Sequence, residues 1–313
     1  MAPKYKKAKL KSALIKLQDN HHKRQRATDI QARKEAALEA AKKQQQPQHH
    51  QKSTAATKIN KKALSNLPPP PYNEHDTILL VGEANFSFAK CLALEVLNRG
   101  DTITATTLDS FINMTEKYDD AQQNIKDLEE AGATVLFEVD ATKLNKVKSF
   151  KGKRFSKIVF NFPHAGAGIK DQDRNIVSNQ KLLRAFFESA AHFLTDKELG
   201  DSKPGEILIT IKTGQPYDLW NIKKLATGTG LLGSKTTFPF RPEQYPGYEH
   251  RRTIGFKDGV SQGGNAEIAN KNPKTFVFVK TSAKEADMAQ EEETANLKKR
   301  KRAGEDISDD DDD

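Results

Sequence analysis

Only one of the 313 residues is a cysteine, Cys91, which excludes an internal disulfide framework and any zinc site built from several cysteines. It reads as a small buried hydrophobe in a protein of a reducing, intracellular compartment, and no metal is expected. Apolar residues are also scarce, at 36% hydrophobic and 7% aromatic. Two full cores would need more, so one folded domain with polar extensions is expected. No stretch nears the roughly 20 consecutive apolar residues that cross a bilayer, and the Lys-rich start lacks the apolar segment of a secretory signal. No membrane association is expected. Two nucleotide fingerprints are missing as well. The first candidate loop carries Gly82 but Ala84 where a dinucleotide site needs its second glycine, and Glu83 would repel a pyrophosphate. No phosphate-binding G-x-x-x-x-G-K-[ST] segment occurs.

What is present is charge, unevenly spread. The formal net charge is +9, yet residues 1–66 hold 17 basic and 4 acidic residues, residues 284–313 hold 6 and 12, and residues 67–283 are nearly neutral at 28 and 26. Residues 1–66 are too poor in large apolar side chains to bury a core and are read as a basic arm, disordered or transiently helical. Such an arm neutralises phosphates or simply solubilises the chain. Pro68 to Pro71 mark a stiff linker over residues 67–75, and a folded domain is expected over 76–283. Beyond it, a tail over 284–313 joins the cluster Lys298 to Arg302, accessible to a nuclear import receptor, to an acidic end at Asp309 to Asp313.

From Thr77 onward, short apolar runs alternate with helical patterns: strands at 77–81, 102–108, 134–139, 157–160 and 206–212, with helices at 86–97, 116–131 and 175–194. Two further strands, around 234–238 and 275–280, have no helix expected between them and are read as an antiparallel pair. This order implies an α/β domain with a mostly parallel sheet buried on both faces. Ligands of such sheets bind beyond the carboxyl ends of the strands. Those ends carry Gly82, Glu83, Ala84, Asn85, Phe86 and Ser87; then Asp109; then Asp140 and Ala141; then Asn161, Phe162, Pro163 and His164; and finally Lys212. S-adenosylmethionine, cationic and without phosphate, suits acidic groups in these places: Asp109 for the ribose hydroxyls and Asp140 for the adenine amine. For either Asp alone, a helix cap is an equal reading. The Asn161 to His164 segment is reminiscent of the N-P-P-[YF] loop of amino-directed methyltransferases, with Phe162 able to stack on a base and His164 either a proton acceptor or a structural histidine.

The segments Ile78 to Phe88, Thr107 to Ser110, Val139 to Leu144, Ile158 to His164, Asp171 to Arg174, Leu208 to Gly214 and Tyr245 to Thr253 together resemble the fungal 25S ribosomal RNA uridine-N3 methyltransferase family. The likeness runs in order from about Asp76 to Phe256; the chain departs from the family pattern at Ala84, where glycine is usual, and its methyl group is expected to tighten the cofactor loop. The resemblance implies a Rossmann-like class I methyltransferase that uses S-adenosyl-L-methionine, acts on large-subunit rRNA in pre-ribosomal particles, and works in the nucleus and nucleolus, with a monomer expected. In that chemistry His164 or Asp140 would take the proton, Asn161 and the Pro163 carbonyl would position the base, and Lys212 would stabilise an oxyanion. Arg241, Tyr248, His250, Arg251 and Arg252 either meet RNA through stacking and phosphate contacts, which is the expectation, or belong to a packed loop with surface charges. A methyltransferase on another RNA or base, and a non-catalytic ribosome-assembly factor with the same fold, are the alternatives. If the division of charge holds, deleting residues 1–66 weakens rRNA affinity and its salt dependence while cofactor affinity is unchanged; a salt series of RNA binding beside a cofactor titration checks this.

Overall fold

The computed structural model describes residues 67–253, 255–256, 265–289, 292 and 294. The expected basic arm, the import cluster and the acidic end lie outside the described residues. Within them, seven strands form one sheet in the order β3-β2-β1-β4-β5-β7-β6, with β1 Ile78–Leu80, β2 Ile103–Thr106, β3 Thr134–Leu136, β4 Lys157–Asn161, β5 Glu206–Ile211, β6 Leu232–Pro239 and β7 Lys274–Lys280. The first five are parallel, and β7 runs antiparallel to both β5 and β6. Helices connect them: α1 Ser87–Cys91, α2 Phe111–Lys117, α3 Ala121–Glu130, α4 Gln172–Ala190, α5 Ile222–Thr227 and α6 Ala266–Ala269, with a last helix α7 over 281–289.

The strands are apolar throughout because both faces are covered. Ile78 and Leu80 point into one core with Phe88, Met114 and Leu128, whereas Leu79 and Val81 point into the other with Phe160, Phe186 and Phe187. All parallel strands end on the same edge, and β2 and β4 flank β1 on opposite sides, so the strand order runs outward from β1 to β3 and then reverses across β1 to β4. The crevice expected at that reversal lies between β1 and β4.

Several local expectations change. The helix expected over 86–97 is the short α1 followed by a π turn, Leu92–Val96. The one expected over 116–131 is two helices, because Tyr118 turns extended (φ −138°, ψ 108°) and buries its ring while its hydroxyl donates to the Arg252 carbonyl at 2.6 Å. Helix α4 begins earlier than expected, where the Asp171 carboxylate accepts the Arg174 N–H at 2.8 Å. Between β6 and β7 stands the short α6, and β7 is inserted beside β5 rather than continuing the sheet edge. The Pro-rich segment does not stand off as a spacer: Gln244 donates to the Pro68 carbonyl at 2.6 Å and the Tyr72 ring meets Phe88 at 6.4 Å. At the other end, α7 runs past the expected boundary at 283, and the Lys284 side chain lies so close over Gly233 that a Cβ there would meet it at 2.5 Å.

One aromatic cluster fastens residues 240–250 to α1. Phe88 contacts Tyr245 at 5.0 Å and Tyr248 at 5.3 Å, and Phe240 stacks on Tyr245 at 5.2 Å. All four rings are buried. Phe88→Ala is expected to cost about 3–5 kcal/mol of stability, read as a lowered denaturant midpoint; a loss under about 1 kcal/mol would show that the cluster does not hold the segment.

Candidate active site

The first wall of the crevice is the loop after β1. Gly82 adopts φ +68°, and a Cβ there would stand 2.4 Å from the Phe160 ring, so only glycine fits. Ala84 is not among the residues with positive φ; its side chain packs against the first core and also borders the crevice, where it was expected. Phe86, expected at the cofactor, is instead fully buried in the core and in the left-handed region (φ 61°), with its ring against Phe137. Its backbone strain sets the angle at which α1 departs. Asn85 and Ser87 do line the crevice, and Ser87 exchanges hydrogen bonds of 3.1 Å with both the N–H and the carbonyl of Glu249.

Glu83 is buried with a single long bond to its carboxylate, from the Ala89 N–H at 3.3 Å. Burial pushes its pKa up to about 7, against the relief given by that amide. Asp109 stands across the crevice with both oxygens held by Lys117, at 2.7 and 2.8 Å. Asp140 and Ala141 lie at the same rim. The Asp140 carboxylate caps the following turn, accepting from the Thr142 amide at 2.9 Å, its hydroxyl at 2.6 Å and Lys143 at 2.7 Å. Burial works against its charge, but these bonds outweigh it and hold the carboxyl below its ordinary value. Asp140 is therefore a weaker proton acceptor than an ordinary carboxylate. Asn161, ending β4, has both its amide nitrogen and its amide oxygen buried without a partner among the described residues.

A second hollow adjoins the first. It is lined by Phe162, Pro163, His164, Lys212, Tyr217 and Trp220, and by His250, Arg252, Thr253 and Glu267 from the opposite side. Phe162, His164, His250, Arg251 and Thr253 border both spaces, and the Phe162 and His250 rings meet at 4.6 Å along the divide. His164 Nδ1 accepts the Gly166 N–H at 3.0 Å, which leaves the ring proton on Nε2 and turns that nitrogen into a donor. Burial and the nearby Lys212 charge lower its pKa and keep it neutral; taking a proton, as expected of it, would require Nδ1 to leave the Gly166 amide. His250 is pushed further, down to about 3, by burial and by Lys212, against the pull of Glu267. Lys212 is half-buried; burial lowers its pKa, Glu267 opposes this, and Arg252 and Lys271 add to it.

The residues expected to meet RNA divide. Tyr248 belongs to the aromatic cluster and is 7% exposed. The Arg251 side chain is 8% exposed, pairs with Asp120 and Glu249, and lies 4.3 Å over the Phe256 ring. Both are largely buried, because the segment that carries them is folded against α1, although Tyr248 borders the crevice and Arg251 both spaces. Arg252 is paired with Glu267 at 2.8 Å, and Arg241, although exposed, borders neither hollow. Trp220 and Tyr217 were missed. The signal was available, since the sole tryptophan follows the carboxyl end of β5, the edge where ligands bind.

A family model described as rRNA (uridine-N3-)-methyltransferase BMT5-like matches residues 79–252, over half of the chain. The chain belongs to this family. A Saccharomyces cerevisiae 25S rRNA (uridine(2634)-N(3))-methyltransferase is 32% identical over 60% of this chain and 69% of its own length. An uncharacterized Arabidopsis thaliana protein is 41% identical over 59% of this chain and 85% of its own length. Among solved structures, Aeropyrum pernix fibrillarin with natively bound S-adenosyl-L-methionine is 14% identical, covering 69% of this chain and 71% of that one with a TM-score of 0.38, a distant likeness from which nothing is carried over.

S-adenosylmethionine is the methyl donor that membership of the family implies, and it supplies an electrophilic methyl on a cationic sulfur. The crevice fits it on three counts. Gly82 leaves room beside Phe160, Glu83 is a buried acid with no cation bound to it among the described residues, and Asn161 offers an unused donor and acceptor. Glu83 ionises near pH 4.5 in the unfolded chain and near 7 in the folded one. The stability it contributes is thus present below about 4.5 and lost as pH rises through 7, whereas a cationic ligand binds the ionised form. Donor affinity is expected to rise about tenfold from pH 6 to pH 8, and Glu83→Gln to weaken binding and flatten that profile, by calorimetry. An unchanged profile in the variant would remove Glu83 from the binding site.

Proposed function

We propose that this protein transfers a methyl group from S-adenosylmethionine to N3 of a uridine in large-subunit rRNA during ribosome assembly. Its place of action is then the nucleus, with the nucleolus as the finer expectation and pre-ribosomal particles as its partner. The observation that carries the reading is the second hollow, a ring-lined space joined to the cofactor crevice across Phe162 and His250. A neutral planar base suits such a lining better than a charged ligand.

Uracil N3–H is a weak acid between two carbonyls, so the charge that develops as N3 reacts spreads onto both oxygens. Donors are available for them. Lys212 is a cation without a hydrogen-bond partner among the described residues, His164 presents Nε2–H, and the Trp220 indole N–H is buried and unpaired there. Lys212 beside the ring makes N3–H more acidic, so the proton passes to solvent water as the base enters, without a dedicated carboxylate base, and leaves the N3 lone pair to form the new N–C bond. Asn161, which borders the crevice, and the carbonyl of Pro163, which borders the second hollow, would orient the base. Orientation and exclusion of water supply most of the acceleration. A base within an rRNA helix has to leave its stack to reach this space.

The test is nucleoside mapping of large rRNA with and without the protein, joined to single substitutions. Loss of 3-methyluridine is expected without the protein, and Lys212→Met is expected to lower the rate at least about 100-fold while donor affinity is kept. Persistence of 3-methyluridine would refute the substrate, and a wild-type rate in the variant would refute the role of Lys212.

A further inference from the structure

An rRNA substrate brings a dense row of phosphates, and the cations expected to meet it at 241–252 are largely committed elsewhere: Arg251 is largely buried and Arg252 is paired. A different stretch is free. From Ala141 to Lys170 the chain has no Asp or Glu, and it carries seven lysines and one arginine. Lys143 is bound to Asp140, Arg154 to Asp201 and Lys157 to Glu206. Lys146, Lys148, Lys151 and Lys153 are exposed, and no ion pair joins them to any described acid. The acids bordering this stretch, Asp140 and Asp201, are neutralised by Lys143 and Arg154.

These four lysines surround a hollow on the connection between β3 and β4, whose far side is His192 and Phe193. The rim is held in place. Phe150 is buried between Phe155, at 5.6 Å, and Phe193, at 5.9 Å, and the Leu144 N–H donates to the Ser189 hydroxyl of α4 at 2.8 Å. The cations therefore project from a short turn fixed on α4, not from a free tail. Leu182 of the same helix borders the cofactor crevice, and ten residues of helical chain separate it from His192, about 15 Å. A nucleic acid strand seated at the active site spans that distance in a few nucleotides.

We propose that the surface formed by Lys146, Lys148, Lys151 and Lys153 is a docking site for the sugar-phosphate backbone of the RNA whose base enters the active site. The contact is independent of sequence, because lysine is a point charge that neutralises phosphate without reading a base edge. The inference rests on the RNA reading of the active site, but it is read out separately.

The test uses the full chain with all four lysines changed to glutamine and follows binding of a large-rRNA fragment across a salt series. Affinity is expected to fall about tenfold or more, and the slope of log affinity against log salt to shrink by about 3, roughly 0.7–0.9 for each phosphate no longer neutralised. Donor affinity and thermal midpoint should be unchanged, and Lys223→Gln with Lys224→Gln on α5 serves as the control. Affinity and slope equal to those of the control would overturn the proposal, and would leave the surface to an acidic protein or to solvent. If the wild type binds the fragment with the larger slope but forms no 3-methyluridine in it, the docking surface stands and the uridine reading falls.

Discussion

The packing of residues 240–253 across the carboxyl ends of β1 and β4 is the contact on which the site depends. Phe240, Tyr245 and Tyr248 close around Phe88, Ser87 and Glu249 exchange two hydrogen bonds, and Tyr118 reaches the Arg252 carbonyl. Without this segment the crevice would lack one wall and the second hollow would be an open shelf. Burial of four aromatic rings supplies the driving force, while the hydrogen bonds fix the register of His250 at the divide. Phe86, ahead of α1, and Phe162, just after β4, both adopt positive φ, and each is held by packed neighbours.

The electrostatics of the two spaces are opposed in a way that suits their occupants. Glu83 is a buried acid without a cation on the donor side, whereas Lys212 is a half-buried cation without a carboxylate bond on the acceptor side, among the described residues. Between them His164 and His250 are both held neutral by burial and by Lys212. Under the proposed reaction, a cationic donor and an acceptor that becomes anionic would each meet the complementary charge. Glu267, which lines the second hollow, is bound by Arg252, and Asp140, at the rim of the crevice, caps its own turn. The arrangement favours stabilising the anion over removing its proton with a dedicated base.

The strand ends were legible in the sequence because each is a local event: an apolar run stops, and a glycine, an acid or an asparagine follows. Gly82, Asp109, Asp140, Asn161 and Lys212 all stand where that reading put them, and Gly82 is glycine for a steric reason the structure makes plain. Local pattern was therefore enough for the α/β class, the edge of the sheet that carries the site and the family. Which of those side chains are free emerges only in the folded chain. The insertion of β7 beside β5, the burial of Tyr248 and Arg251, and the pairing of Ser87 with Glu249 join residues far apart in the chain, and no local pattern encodes them. The same holds for charge. A run of lysines looks alike whether its members are paired or not, and the fold alone brings Asp201 and Glu206 to Arg154 and Lys157 while leaving Lys146, Lys148, Lys151 and Lys153 exposed.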